Sequence, residues 1–372
     1  MNDLMNSHVL TVQTPNGSSY DIRIEAGIGS QIGELVKSFQ PSAVALITDS
    51  TVSRLWGQEV YQSLLAANLR TTLIEIPAGE AYKNLSTVNL VYDQLVEARV
   101  DRHGAIVALG GGVVGDLSGF VAATWMRGVP TWVQVPTTIL SMVDASVGGK
   151  TGVDHAHGKN LIGAFRQPSM VVMDPRYLQT LPPREIVSGM AEVIKHGILA
   201  DPGLFEMISG WESSSDSLLA KITPSLLARA IQVKINTVQK DPFERLGERA
   251  KLNLGHTFGH TYELMSQFAL AHGEAISVGM VTAARVSEAI GLAEKGLAVQ
   301  IEQVLQKIDL PTTWAGAADG EQVWQMMQSD KKRAAKGLRF ILPRAIGDVI
   351  VSKAGELQKE MIIKVIEQQN RA

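Results

Sequence analysis

The sequence contains no cysteine. Disulfides and thiolate metal sites are therefore excluded, and any metal must be held by His, Asp or Glu. Neither sign of charge is in excess. Against 34 Lys and Arg stand 37 Asp and Glu, a formal net charge of −3. The whole-protein field thus gives no reason to expect nucleic acid or an anionic membrane as a partner. A local basic pocket stays open, because net charge does not report clustering. No uncharged apolar run approaches the roughly 18 residues of a spanning helix. The N-terminal stretch MNDLMNSHVL has no basic region followed by an apolar one, so no secretory signal is expected. A cytoplasmic protein is the expectation.

What is present is ordinary for a globular chain. Its 372 residues, 45% hydrophobic and 19% charged, are enough for two domains. Residues 8–14 and 20–25 flank Pro15-Asn16-Gly17, a turn signal, and read as a hairpin. Apolar runs follow at 43–47, 71–76, 105–109, 131–135 and 170–173, with helical patterns such as 87–99 between them. Strands separated by helices imply a largely parallel sheet covered on both faces. Beyond Leu181-Pro182-Pro183 the helical period dominates, at 185–199, 224–238, 256–265, 274–290 and 297–308. A basic stretch at 330–339 precedes a strand-like 338–342 and a C-terminal helix. The expected fold is an α/β domain with a mostly parallel, Rossmann-like sheet over 1–180, followed by a mainly α-helical domain over 181–372.

Residues 105–109 run into Gly110-Gly111-Gly112-Val113-Val114-Gly115-Asp116 and then an apparent helix at 117–125. Glycines let a backbone approach a phosphate, and a helix N-terminus offers free N–H groups. The pattern is neither Gly-x-Gly-x-x-Gly nor a P-loop, and a plain tight turn fits it as well. Asp116 could cap the helix or bond a ligand hydroxyl. Two further strand ends carry suitable groups, Asp49 for ribose hydroxyls and Thr137-Thr138 as hydroxyl donors. Together the three suggest a nucleotide.

A second constellation points to a metal. His256 and His260 lie four apart on one helix face; His272-Gly273-Glu274 opens the next helical run, and Glu192, Lys195 and His196 share another helix. Two imidazoles and one carboxylate with an open position form a common catalytic zinc set. Spacing leaves the pair open between His256/His260 and His256/His272, and the oxygen ligand open between Glu192 and Glu274. Basic residues beside glycines or histidines, Lys150, Lys159 with Asn160, Lys195, Lys234, Arg249 and Lys331-Lys332, would suit a small substrate carrying phosphate and carboxylate.

These segments, taken in order, resemble the 3-dehydroquinate synthase family over most of the chain. The matches are PAGEAYK (77–83), GGGVVGDLSG (110–119), WMRG (125–128), QVPTTILSMVDASVGGK (134–150), GKNLIG (158–163), GMAEVIK (189–195), LNLGHTFGH (252–260), HGE (272–274) and DKK (330–332). The resemblance implies that Glu192, His256 and His272 hold a divalent metal, usually zinc, with Co2+ as an alternative. It implies NAD on Asp49, Gly79, Glu80, Tyr82, Lys83, Gly112, Val113, Val114, Gly115, Asp116, Thr137, Thr138, Lys150, Lys159 and the loop Tyr177, Leu178, Gln179 and Thr180. It places Asp144, Lys150, Lys159, Asn160, Lys195, Lys234, Arg249, Asn253, His260 and Lys331 or Lys332 around the substrate. It also implies a homodimer in which Arg127 reaches the neighbouring subunit's substrate phosphate.

The implied reaction converts 3-deoxy-D-arabino-heptulosonate 7-phosphate into 3-dehydroquinate and phosphate, in the shikimate pathway. It runs by transient oxidation with NAD, phosphate elimination, re-reduction and intramolecular aldol closure. The stretch 241–249 (DPFERLGER) departs from the usual acidic run and is one residue longer, so Lys234 is less secure and Arg245 competes with Arg249. Rival readings are another sugar-phosphate cyclase, a metal-dependent polyol dehydrogenase of the same fold, and a non-catalytic nucleotide-binding protein.

Overall fold

The computed structural model describes residues 7–212, 218–331, 338–353 and 355–370. The chain forms two compact units, one of Met1–Leu181 with Leu219–Ile235, the other of Pro182–Leu218 with Asn236–Ala372. The returning segment 219–235 includes Pro224, which opens the helix Pro224–Lys240.

The first unit is built on a seven-stranded sheet. Its strands are β1 (His8–Gln13), β2 (Ser19–Ile24), β3 (Val44–Asp49), β4 (Thr71–Ile76), β5 (Ala105–Gly110), β6 (Thr131–Pro136) and, after the hairpin β7 (Lys150–His155) and β8 (Gly158–Phe165), β9 (Met170–Met173). The order is β1-β2-β9-β6-β5-β3-β4. Only β1 and β2 pair antiparallel, His8 opposite Ile24 through Gln13 opposite Ser19; every other pairing in the sheet is parallel. Apolar runs become strands here because both faces are covered. Along β3, Val44 and Leu46 pack on one side with Val107, Leu109 and Val133. Ala45 and Ile47 point to the other, against Ile106, Val114, Leu117 and Val121. A strand's alternation thus feeds two cores at once.

Two features differ from the expectation. The helix after β5 spans Gly112–Thr124, so the glycine-rich stretch forms its first turn rather than a loop before it. The hairpin β7–β8 was not foreseen, because its glycines Gly152 and Gly163 face each other and interrupt the apolar alternation that marks a strand.

The second unit contains the helices Pro183–Ala200, His256–Met265, His272–Ala289, Leu297–Lys307, Gly320–Lys331 and Lys359–Asn370, with a small antiparallel pair, β10 (Ile341–Ala345) and β11 (Asp348–Val351). Prolines at the first positions start the helices Pro183–Ala200 and Pro202–Ser209, where a missing N–H costs nothing. No helix among the described residues is long and apolar enough to cross a membrane.

Candidate active site

In the first unit, three adjacent parallel strands deliver polar groups to one edge of the sheet. β3 ends at Asp49, whose Oδ1 accepts from Thr51 N at 2.8 Å and Val52 N at 3.0 Å. β5 leads into Gly111, which caps the helix Gly112–Thr124 without a side-chain hydrogen bond. The N–H groups of Gly112, Val113 and Val114 are therefore not taken by a capping side chain, the condition under which a helix start binds phosphate. β6 ends before Thr137 and Thr138, but the Thr138 hydroxyl is engaged with Ser141 Oγ at 2.8 Å.

Asp116 does not cap this helix. Its Oδ2 accepts from Lys83 Nζ at 2.6 Å, and Lys83 Nζ also donates to Asn160 Oδ1 at 2.6 Å. Asn160, on β8, is held in turn by its N–H to Asp154 Oδ1 at 2.7 Å. Burial disfavours the Lys83 ammonium, but Asp116 outweighs it and raises its pKa. Burial pushes the Asp116 carboxyl up, against the pull of Lys83. Gly79, at φ 113°, turns the chain into the short helix Glu80–Tyr82 that ends at Lys83; Glu80 and Tyr82 are exposed. The turn Pro175–Thr180 starts at Asp174, a fully buried carboxylate that accepts from Gly29 N at 3.0 Å and from Arg176. In that turn Tyr177 and Leu178 are sealed in the core, while Gln179 and Thr180 are exposed.

Asp144 pairs with Lys234 Nζ at 2.8 Å, so the lysine left least secure by sequence meets an expected site residue. Lys150 and Lys159 are exposed on the β7–β8 hairpin, and Arg127 is exposed with φ 71°.

In the second unit, the structure brings together Glu192, His256 and His272, whose donor atoms all lie within 4.8 Å of one another. His256 Nε2 is 3.7 Å and His272 Nε2 3.6 Å from Glu192 Oε1. These separations are too long for good hydrogen bonds. They approach the edge, about 3.4 Å, of a tetrahedron of ligands around Zn2+. Glu192 is fully buried, and neither of its oxygens has a hydrogen-bond partner of ordinary geometry, although Lys195 Nζ is ion-paired with Oε2. A buried carboxylate whose Oε1 faces two imidazoles and has no hydrogen-bond partner fits a divalent cation.

Local structure explains the convergence. Gly255, at φ 79°, caps the helix that His256 opens, and Leu254 O faces His256 Nδ1 at 3.1 Å. Gly273 lies so close to the helix Pro183–Ala200 that a Cβ there would be 1.8 Å from Ser188 O. Ser188 is one turn before Glu192, so this contact brings His272 to the carboxylate.

Burial and the charge of Lys195 hold the His256 pKa well below its usual value. Burial also opposes the His272 imidazolium, but Glu192 and Glu263 prevail and raise its pKa to about 9. The Glu192 carboxyl is held well below the usual range by Lys195, despite its burial.

The alternatives that spacing left open lie in different surroundings. Glu274 is not with the imidazoles; it accepts both Arg184 Nε at 2.7 Å and Nη2 at 2.6 Å, and Ala271 N at 2.8 Å. His260 is exposed; its ring lies 5.1 Å from that of His256 and 5.9 Å from that of His272, and with Glu263 and His272 it forms a second donor group. Arg249 is buried, with Nη1 donating to Pro242 O at 3.0 Å, whereas Arg245 is exposed over the Phe243 ring. Asp241 anchors this loop by accepting from Arg245 N at 2.7 Å and Arg249 N at 3.2 Å. Asn253 is exposed. Lys332 and the side chain of Lys331 lie outside the described residues. Glu263 went unforeseen, although His256, His260 and Glu263 at i, i+4 and i+7 share one helix face.

The fold is that of the sugar-phosphate cyclases. The solved 2-epi-5-epi-valiolone synthase of Streptomyces hygroscopicus subsp. jinggangensis, with NAD+ and Zn2+ bound, superposes with a TM-score of 0.83 at 26% identity, covering 95% of this chain and 97% of that one. Residues 73–188 match the family model 3-dehydroquinate synthase N-terminal, and residues 189–333 match 3-dehydroquinate synthase C-terminal. A 3-dehydroquinate synthase of Rippkaea orientalis is 41% identical over 363 residues, 96% of this chain and 98% of the relative. One of Pelobacter propionicus is 44% identical over 345 residues, 92% and 95% respectively. The chain belongs to the 3-dehydroquinate synthase family.

Proposed function

We propose that the protein is a 3-dehydroquinate synthase, an NAD- and divalent-metal-dependent phosphorus–oxygen lyase of the shikimate pathway. It converts 3-deoxy-D-arabino-heptulosonate 7-phosphate into 3-dehydroquinate and inorganic phosphate. The observation that carries this reading is the meeting of Glu192, His256 and His272 in a chain with close 3-dehydroquinate synthase relatives. Zn2+ is the cation of choice for one carboxylate and two imidazoles, and Co2+ a working substitute.

When bound, NAD accepts a hydride and returns it within one turnover, while the cation polarises neighbouring substrate oxygens. Glu192, His256 and His272 hold the cation. The start of the helix Gly112–Thr124 receives the dinucleotide phosphates, and the Lys83–Asp116–Asn160 set fixes the adjoining polar wall. Lys150, Lys159, Lys195, Lys234 and Arg249, with Asn253, orient the phosphate and carboxylate of the substrate. Lys331 or Lys332 joins them. Asp144 sets the position of the Lys234 ammonium. His260, beside the His256 and His272 imidazoles, lines the substrate. Holding one substrate through several steps is a positioning task, which a multidentate anion pocket performs. The protein is read as a cytoplasmic homodimer, with Arg127 serving the neighbouring subunit.

The direct test is release of inorganic phosphate from the heptulosonate phosphate. Release should require NAD, stop with a chelator, and proceed without net NADH. Steady NADH accumulation would favour the polyol dehydrogenase instead. For Lys83→Met, loss of a buried charge-assisted bond of about 1.5–3 kcal/mol should weaken NAD binding at least about 10-fold. Tryptophan fluorescence titration with NAD reads this, and an unchanged Kd would remove Lys83 from the cofactor site.

Metal uptake should also release a proton. Below about pH 9 the metal-free protein carries a protonated His272, and a ligand imidazole must be neutral. His256, already neutral, contributes nothing. Calorimetry of Zn2+ binding at pH 7.5 in buffers of different ionisation enthalpy should show about one proton released per ion. Release should fade as the pH rises through about 9. Buffer-independent heats at pH 7.5 would contradict this.

A further inference from the structure

We propose that Glu263 is the positioning residue for His272: its carboxylate accepts the Nδ1 proton and thereby turns the Nε2 lone pair toward Glu192 and the cation they share. The proposal rests on reading Glu192, His256 and His272 as ligands.

His272 lies between two carboxylates. Glu263 Oε2 is 3.4 Å from its Nδ1, and Glu192 Oε1 is 3.6 Å from its Nε2. A neutral imidazole has one N–H and one lone pair, so it can serve the two sides in either of two ways. If Nε2 carried the proton, it would face Glu192 and no lone pair would be left for a cation there. If Nδ1 carries it, Glu263 accepts and Nε2 is free to coordinate. The second tautomer is the one a ligand needs.

The two imidazoles are oriented by different means. His256 points Nδ1 at the Leu254 carbonyl, 3.1 Å away, a main-chain group fixed by the turn at Gly255 that no substitution of a side chain removes. His272 has a side-chain carboxylate instead. A carboxylate in that place raises the basicity of the ligand nitrogen as well as fixing the ring. Glu263 is itself placed by the fold: its side chain is 11% exposed, and it sits seven residues beyond His256 on the same helix face. The geometry thus makes one ligand's orientation dependent on a single removable group.

The test uses protein stripped of metal and titrated with Co2+, reading affinity by calorimetry and ligand geometry by the visible absorption of the bound ion. The variants are Glu263→Ala, Glu263→Gln and, as the ligand control, Glu192→Gln; circular dichroism checks their folding. Wild type should take up one Co2+ per chain. Glu263→Ala should weaken binding roughly 10- to 100-fold and shift the absorption bands. Glu263→Gln keeps an oxygen that can accept the Nδ1 proton, so it should fall between the two, and it carries the test should the alanine variant fail to fold. Wild-type affinity and spectrum in the folded Glu263 variants, with Glu192→Gln unable to bind, would overturn the positioning role alone. Wild type that binds no Co2+, or Glu192→Gln that binds it normally, would overturn the ligand reading and this proposal with it. Two ions per wild-type chain would make Glu263 a ligand in its own right and overturn the proposal.

Discussion

Glu192→Ala should bind no divalent cation, release no phosphate, and unfold more readily than wild type. Glu192 is fully buried, and so is the Lys195 ammonium paired with it. Without the carboxylate, that ammonium keeps its desolvation cost and loses its counter-charge. Removing one partner of such a pair typically costs about 3–5 kcal/mol. The effect on His272 adds to this, since its charged form depends on Glu192. Urea unfolding of the metal-free protein isolates the stability loss, and calorimetric titration with Co2+ reads the binding loss. A variant that binds Co2+ with wild-type affinity would show that the ion sits elsewhere.

The second large effect is expected from a residue with no functional group. Gly273→Ala leaves every ligand in place but puts a methyl group 1.8 Å from Ser188 O. That oxygen belongs to the backbone of the helix Pro183–Ala200 and cannot swing aside as a side chain would. The Gly273 N–H also donates to Ser188 Oγ at 2.9 Å, so separating the two segments breaks a buried hydrogen bond as well. Overpacking against main chain, with that loss, should cost about 3 kcal/mol or more. Because Glu192 is one turn beyond Ser188, the displacement passes to the ligands. Thermal unfolding should show a lowered midpoint, and the folded variant should bind Co2+ more weakly. An unchanged midpoint would mean that the two segments have room the structure does not show.

The two variants separate chemistry from placement. Glu192→Ala removes a ligand and an ion-pair partner together. Gly273→Ala retains the complete donor set and changes only how closely its supports approach.

Much of the first unit was legible because its signals are local. The runs 43–47 and 105–109 are apolar throughout, and 131–135 is apolar except for Thr131 and Gln134, close to what a strand buried on both faces requires. Pro15-Asn16-Gly17 marks the β1–β2 turn by the backbone preferences of three adjacent residues. The reading failed where locality misleads. Gly110–Gly112 looked like a loop because glycine is a poor helix former. Yet the helix starts at Gly112, and a Cβ at Gly115 would lie 2.9 Å from Gln134 Oε1. Close packing against a strand decided that position, and no propensity encodes it. The β7–β8 hairpin was hidden in the same way by Gly152 and Gly163.

The candidate site divides along the same line. By itself, the sequence determined the donor chemistry: without cysteine, a cation could rest only on imidazole and carboxylate, and the candidates clustered in a few short segments. It also determined the parallel strands, because hydrophobic periodicity acts between near neighbours. Which carboxylate meets the imidazoles was a tertiary decision. Glu274 is two residues from His272, yet Arg184 holds it; Glu192, 80 positions away in the chain, is the one that arrives. Glu263 likewise acquires its partner only through folding. Such choices turn on contacts a few ångströms long between residues far apart in the chain, and these exist only once the helices have packed.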